Sequence, residues 1–260
     1  VPVFVDIEPD TYNIDANLVE DALTPRTRAI MPVHLYGRPA ALEHLAAICV
    51  RHRLDLLEDC AQSLGVRYQG KATGAWGDAG SVSFYPSKNL GAYGDAGMVL
   101  TNHDHVAQQV RLLRNHGSAK TYYHETVGWN SRLDEIQAAI LRIKFKRLDQ
   151  CNARRRWAAA RYCELLGGSD VVLPRDDGNC SYHQFTIRSP KRDAIMQTLK
   201  AQGIDSRIYY PIPLHQQQAF AQYAPRAPLP HSERAAREVM SLPMHPYLND
   251  AQIERICAAV

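Results

Sequence analysis

Ala29-Ile-Met-Pro-Val33, the stretch 40–52 and Leu54-Asp-Leu-Leu57, closed by Glu58-Asp59, decide the fold class. Two short apolar runs flank an amphipathic stretch with Leu42, Leu45, Ala46 and Cys49 at spacings of three and four. That pattern predicts strand, helix, strand. Joining two such strands through a helix makes them parallel neighbours in a sheet covered on both faces. Gly80-Ser-Val-Ser-Phe84 and Gly97-Met-Val-Leu-Thr101, each bounded by Gly and Asp, read as further strands. Upstream, Val1-Pro-Val-Phe-Val-Asp6 reads as a buried strand running into an acidic loop. The class is α/β.

Beyond these strands, the stretch 131–148 predicts a long helix carrying Leu133, Ile136, Ile140 and Ile143 on one stripe. A second helix over 152–166 ends at Gly167-Gly168. The pattern then changes. His183-Gln-Phe-Thr-Ile-Arg188 is a strand, 192–202 a helix stopped by Gly203, and 204–210 another strand. Helices near 232–240 and 250–259 follow. A large, mostly parallel unit over residues 1–150 is therefore expected, with a linking helix and a smaller α+β unit over 151–260.

Composition excludes several classes. Of the 260 residues 45% are apolar and 22% charged, the balance of a globular chain. A net charge of +3 is too mild and too evenly spread to point to nucleic acid or an anionic membrane. No apolar run has the length of a membrane helix. Six scattered cysteines without a Cys-x-x-Cys pair, and no signal peptide, lead to reduced thiols and a cytoplasmic setting.

Two residues stand where chemistry is done in such sheets. Asp59 ends an apolar strand, and open parallel sheets bind ligands beyond those ends. Alone, the same aspartate reads rather as a cap for the helix that follows. Lys88 follows the strand ending at Phe84, in a loop of Gly and small polar residues. Partly desolvated there it is a candidate Schiff-base amine; alone, it is a surface lysine. Gly91, Gly94 and Gly97 around Asp95 suggest tight turns. His103-Asp-His105 lacks further metal ligands nearby and starts a solvated helix, and Arg154-Arg-Arg156 reads as an exposed helix face. No Gly-x-Ser-x-Gly, Walker loop, His-Glu-x-x-His or Gly-x-Gly-x-x-Gly is present, which weighs against nucleophile-elbow hydrolases, P-loop enzymes, zincins and nicotinamide dehydrogenases.

Six stretches occur in order: Pro32-Val-His-Leu-Tyr-Gly37, Glu58-Asp-Cys-Ala-Gln62, Ser83-Phe-Tyr-Pro-Ser-Lys-Asn-Leu-Gly91, Arg114-Asn-His-Gly117, Asn130-Ser-Arg-Leu-Asp-Glu-Ile-Gln-Ala-Ala139 and Tyr210-Pro-Ile-Pro-Leu-His215. Together they resemble the DegT/DnrJ/EryC1/StrS family of pyridoxal-phosphate aminotransferases that act on nucleotide-linked keto sugars. The resemblance runs through to Ser241-Leu-Pro-Met244. It implies the fold type I of the aspartate aminotransferase superfamily and a homodimer with shared active sites. Lys88 would hold the cofactor covalently and shuttle a proton. Asp59 would pair with the pyridine nitrogen, Gln62 would lie beside the ring, Ser83 would bind the phosphate, and Asn130 would reach the phosphate in the partner's site. Tyr209, Tyr210 and His215 would face the sugar nucleotide.

The implied reaction moves an amino group from an amino acid, glutamate, to the keto sugar. Lys88 favours transamination, since dehydrating members carry His there. Asn130-Ser-Arg-Leu-Asp-Glu135 is more similar to members acting at C3 of a dTDP-linked deoxyhexulose than to those acting at C4. Family members also place a Gly-Thr or Gly-Ser phosphate turn and a ring-stacking aromatic ahead of the Pro2-Val-Phe-Val-Asp6 strand, and these 260 residues hold neither. That departure implies weakened cofactor binding. It also opens a second expectation, a truncated, non-catalytic member serving as a binding or structural partner.

Overall fold

Ala29–Ile30 (β1), Leu42–His52 (α1) and Asp55–Asp59 (β2) form the strand–helix–strand unit that the opening stretch predicts. The structure, a computed structural model, describes residues 1–175, 178–225 and 227–260. β1 and β2 are parallel, Ala29 opposite Asp55. A hairpin of Arg67–Tyr68 (β3) and Lys71–Ala72 (β4) leads to Ala79–Ser83 (β5), parallel to β2 with Leu57 opposite Ala79. Gly97–Leu100 (β6) returns antiparallel, Ser83 opposite Gly97. The sheet order is β1-β2-β5-β6.

Burial follows the periodicities. Leu42, Leu45, Ile48 and Cys49 of α1 pack on Ile30 and Leu56, while Val82 and Phe84 meet Leu90, Leu141 and Leu148. Asp104–Leu113 (α2), the hairpin Ser118–Lys120 (β7) with Tyr123–His124 (β8), Glu135–Phe145 (α3) and Leu148–Leu166 (α4) follow. The C-terminal layer is Phe185–Arg188 (β9), Arg192–Ala201 (α5), Pro230–Glu238 (α6), Val239–Leu242 (β10) and Asp250–Cys257 (α7). β9 and β10 pair antiparallel, and Tyr162 of α4 stacks on Phe185 with ring centroids 4.7 Å apart. All six cysteines are free thiols. No helix among the described residues is long and apolar enough to cross a membrane.

Five expectations are corrected. Residues 1–6 form no strand; Phe4 instead packs on His215 and Phe220, because no neighbouring strand pairs with this stretch. The helix over 131–148 is only Glu135–Phe145, and of its stripe Ile136 and Ile143 are 74% and 71% exposed. Leu133 packs at the edge of the core and Ile140 is half-buried, so only part of the stripe faces away from it. The stretch 204–210 contributes one bridge, Arg207 to Ser241, and Pro211 and Pro213 beyond it offer no N–H to extend pairing. Met240 belongs to β10 rather than to a helix, since all four residues of Val239–Leu242 are buried. Arg155 is buried inside the expected charged face, where its Nη1 donates to the carbonyls of Tyr182, His183 and Met244.

Candidate functional site

β2 and β5 are parallel neighbours, so the chain leaves both at one edge of the sheet, and Asp59 and Ser83 are their last residues. The backbone of Asp59 is locked: its N–H donates to Pro32 O at 2.9 Å, and its carbonyl accepts from His34 N at 3.0 Å. Strand alternation sends Glu58 into the core and leaves Asp59 half-buried. The Asp59 carboxylate accepts from Ala61 N at 2.9 Å, a turn cap, and retains acceptor capacity for a ligand.

Lys88 lies in the turn after β5, its N–H on Tyr85 O at 2.8 Å. Burial pulls its amine below the ordinary lysine range, and the negative charge of Asp59 opposes that shift. The two expected residues thus share one electrostatic environment. Gln62, which follows Asp59 in the turn after β2, is buried, its Oε1 accepting from Tyr36 N and its Nε2 donating to the Tyr210 hydroxyl at 3.3 Å. The Tyr36 hydroxyl donates to Tyr209 O, so Tyr209 is tied to the loop before α1 and Tyr210 to the turn after β2. Gly37, at φ +96°, lets that loop press against residues 181–183; a Cβ there would lie 2.2 Å from Ser181 Oγ.

Other expected residues lie elsewhere. Ser83 Oγ accepts from Tyr85 N at 3.3 Å, and Ser83 lines an open cavity of about 940 Å³ together with Asn130, Arg111, Arg114 and Arg132. Asn130 is exposed and accepts from Arg132 Nε at 3.1 Å. Asp59, Gln62 and Lys88 are not among that cavity's walls. His215 packs against Phe4 and sits 3.4 Å from Glu233, in the cluster formed by the N-terminal segment. The side chain of Asn89 bonds Ser181 O and His183 Nδ1, and the sequence by itself singles out none of the three. Asn89 adjoins Lys88, which was a signal available in the sequence; the other two come from the far end of the chain.

The donor set fits pyridoxal phosphate: a carboxylate for a ring nitrogen, a partly desolvated primary amine for a carbonyl, and a hydroxyl at the end of β5 for a phosphate oxygen.

The fold is of the α/β class, and its strand-end carboxylate and the amine beyond it are compatible with aminotransferase chemistry. The chain belongs to the DegT/DnrJ/EryC1/StrS aminotransferase family, which it matches over residues 1–260. It is 52% identical over 257 residues to the "pleiotropic regulatory protein" of Geobacillus stearothermophilus, covering 96% of this chain and 69% of that one. To the UDP-N-acetyl-3-dehydro-alpha-D-glucosamine 3-aminotransferase of Acidithiobacillus ferrooxidans it is 48% identical, covering 100% and 70%. The crystal structure of DesV from S. venezuelae superposes with a TM-score of 0.95 at 45% identity, over 100% of this chain and 71% of that one.

Proposed function

We propose that this aminotransferase moves the amino group of an amino acid, glutamate, to the 3-keto group of a nucleotide-linked deoxysugar, using pyridoxal phosphate. The observation that carries the reading is the desolvated Lys88 amine within the field of Asp59 at the ends of adjacent parallel strands. Bound pyridoxal phosphate supplies an electron sink for the two half-reactions. Lys88 Nζ, with its ammonium form disfavoured, takes and returns the proton at the carbon that carries the amino group. Asp59 would hold the ring nitrogen, Gln62 would lie beside the ring, and Ser83 would donate to the phosphate. Asn130, which is exposed, would reach the phosphate of the partner subunit's site in a homodimer.

Position 3 is supported by the Asn130-Ser-Arg-Leu-Asp-Glu135 segment and by the relative named for a 3-dehydro sugar. A dTDP-linked 3-keto-6-deoxyhexose is the first substrate to assay and a UDP-linked 3-keto sugar the second. Tyr209, Tyr210 and His215 are assigned to the sugar-nucleotide side, residues 1–150 to a large cofactor-binding domain and 151–260 to a linking helix and a small C-terminal domain.

The test is the visible spectrum of the purified chain mixed with pyridoxal phosphate, beside Lys88→Ala. A band that depends on Lys88, followed by glutamate-driven amination of the keto sugar, is expected. An unchanged band in Lys88→Ala would overturn the reading.

A further inference from the structure

Tyr36 is held on four sides. It is 8% exposed and sits at φ +59°, in the left-handed region that a bulky side chain rarely enters. Its N–H donates to Gln62 Oε1 and its hydroxyl to Tyr209 O. Its carbonyl accepts from His183 N at 2.9 Å, and its ring meets Tyr12 edge-on with centroids 5.7 Å apart. Buried Asn13 pins the same loop, accepting from Leu35 N at 2.8 Å. A strained backbone conformation persists only where its surroundings over-determine it, and such positions cluster at functional sites.

These bonds close a circuit. It runs from Tyr36 N to Gln62 Oε1, from Gln62 Nε2 to the Tyr210 hydroxyl at 3.3 Å, along the chain to Tyr209 O, and back to the Tyr36 hydroxyl. A backbone N–H only donates, so the amide oxygen of Gln62 must face Tyr36 and its nitrogen must face Tyr210. The Tyr210 oxygen therefore accepts within the circuit, and its own proton is left over. So is the second hydrogen of Gln62 Nε2, and neither atom has another hydrogen bond among the described residues. Burial raises the Tyr210 hydroxyl above its ordinary value, so its proton is present at neutral pH. Tyr210 is 50% exposed, open to a ligand. Two uncommitted donors on atoms 3.3 Å apart can meet on one acceptor oxygen.

We propose that Tyr36 is a positioning residue for the sugar-nucleotide side. Its N–H sets the amide orientation of Gln62, and its hydroxyl anchors the Tyr209–Tyr210 pair. The closed circuit then presents the Tyr210 O–H and a Gln62 N–H to one acceptor oxygen of the nucleotide-linked sugar. The proposal rests on Tyr209 and Tyr210 serving the sugar side.

The experiment titrates dTDP-glucose, then UDP-glucose, into the full chain by calorimetry, for wild type, Tyr36→Phe, Tyr210→Phe and the double variant. Tyr36→Phe keeps the aromatic ring and the N–H and removes only the anchor on Tyr209 O. Each single variant is expected to weaken binding about 3- to 10-fold, the range for one lost hydrogen bond. The double variant should bind no worse than the weaker-binding single one, since cutting the circuit once already frees Tyr210. Losses that multiply to about 10- to 100-fold would make the two residues independent and overturn the proposal. So would unmoved affinity in a Tyr36→Phe chain whose only change is a lower melting temperature, the mark of a merely structural contact. Hydrogen exchange of the cofactor-free chain is the second readout. Faster exchange in Tyr36→Phe confined to 204–216 is expected, and a rise spread over the whole C-terminal layer overturns the proposal. If Tyr36→Phe does not fold, Gln62→Glu decides: it keeps an oxygen for Tyr36 N and deletes both amide donors, and unchanged affinity overturns the donor pair. A wild type that binds neither nucleotide sugar removes the sugar-side assignment and the proposal with it. The spectrum of Lys88→Ala with pyridoxal phosphate is a separate arm: a retained band there sinks the aminotransferase reading and leaves the circuit result standing.

Discussion

His34 Nε2 and Glu58 Oε2 lie 3.1 Å apart, with neither side chain exposed to solvent. His34 Nδ1 accepts from Ala40 N at 3.1 Å, so Nε2 holds the proton and donates it to Glu58. The carboxylate also accepts from Gly74, Trp76 and Gly77 N–H groups at 2.7, 2.7 and 2.9 Å. Burial raises the Glu58 carboxyl, but the bonds from His34, Gly74 and Gly77 outweigh it and hold the group below its ordinary value. Cys60 completes a buried trio of metal-ligand types, yet the Glu58 and His34 atoms are already committed, and burial pushes the Cys60 thiol up to about 12. The trio is scaffolding beneath Asp59.

Glu58→Gln places an amide N–H against N–H donors in this site, and breaking a buried, hydrogen-bonded charge costs about 3–5 kcal/mol. Urea unfolding is expected to show a correspondingly lowered midpoint. A loss under about 1 kcal/mol would mean that the 74–77 loop re-forms its bonds elsewhere.

Asp6 ties the N-terminal segment to α6, accepting from the N–H groups of His231 and Ser232 and from the Ser232 hydroxyl at 2.9, 2.9 and 2.7 Å. Burial raises its carboxyl, but these bonds and that from Ile7 N lower it further, below 3.8. A depressed folded-state value contributes stability that is complete above the unfolded value and is lost as pH falls through the folded one. Asp6→Ala should therefore cost about 1–2 kcal/mol at neutral pH, with the gap to wild type narrowing below about pH 4. A pH-independent gap would sink the cap.

What the sequence made legible was local. Strand ends carrying Asp59 and Ser83, the α1 periodicity and the Gly stops at 167 and 203 all rest on neighbours in the chain. What it hid was tertiary. Val1-Pro-Val-Phe-Val-Asp6 has a strand's composition but only side-chain docking on Phe220 and His215. Arg155 looked like its neighbours until residues 182–183 and 244 supplied carbonyls for it. Asn89 and His183 acquire meaning only when segments 94 positions apart meet.

Arg155 carries the joint between α4 and the C-terminal layer. Burial lowers its guanidinium to about 10, so it stays charged at neutral pH. Arg155→Leu strands two buried carbonyls and the part-buried one of Met244, and hydrogen bonds to a charged group are worth about 1.5–3 kcal/mol each. A loss of about 3 kcal/mol or more is expected by chemical denaturation, partly recovered by Arg155→Lys. A near-neutral Arg155→Leu would show that these carbonyls find other donors.

Tyr210→Phe tests the sugar side. It deletes the 3.3 Å bond from Gln62 Nε2, worth about 0.5–1.5 kcal/mol, or up to roughly tenfold in kcat/KM for the keto sugar. The half-reaction with glutamate should be unchanged in stopped-flow absorbance. Equal losses in both half-reactions would move Tyr210 from the sugar to the cofactor.

Ile136 and Ile143 project from α3 with Phe145, and Tyr122, Tyr123 and Val127 in the segment before it in the chain are also exposed. Soluble chains seldom leave apolar groups of this size together in water, and a two-fold contact between copies would bury each patch against its mate. Burying one isoleucine is worth about 1.5–3 kcal/mol, so Ile136→Asp with Ile143→Asp should weaken the dimer at least about 100-fold. Sedimentation at micromolar concentration is expected to show a dimer for wild type and a monomer for the double variant. A variant that still sediments as a dimer would move the interface off α3, and a wild-type monomer would remove the homodimer altogether.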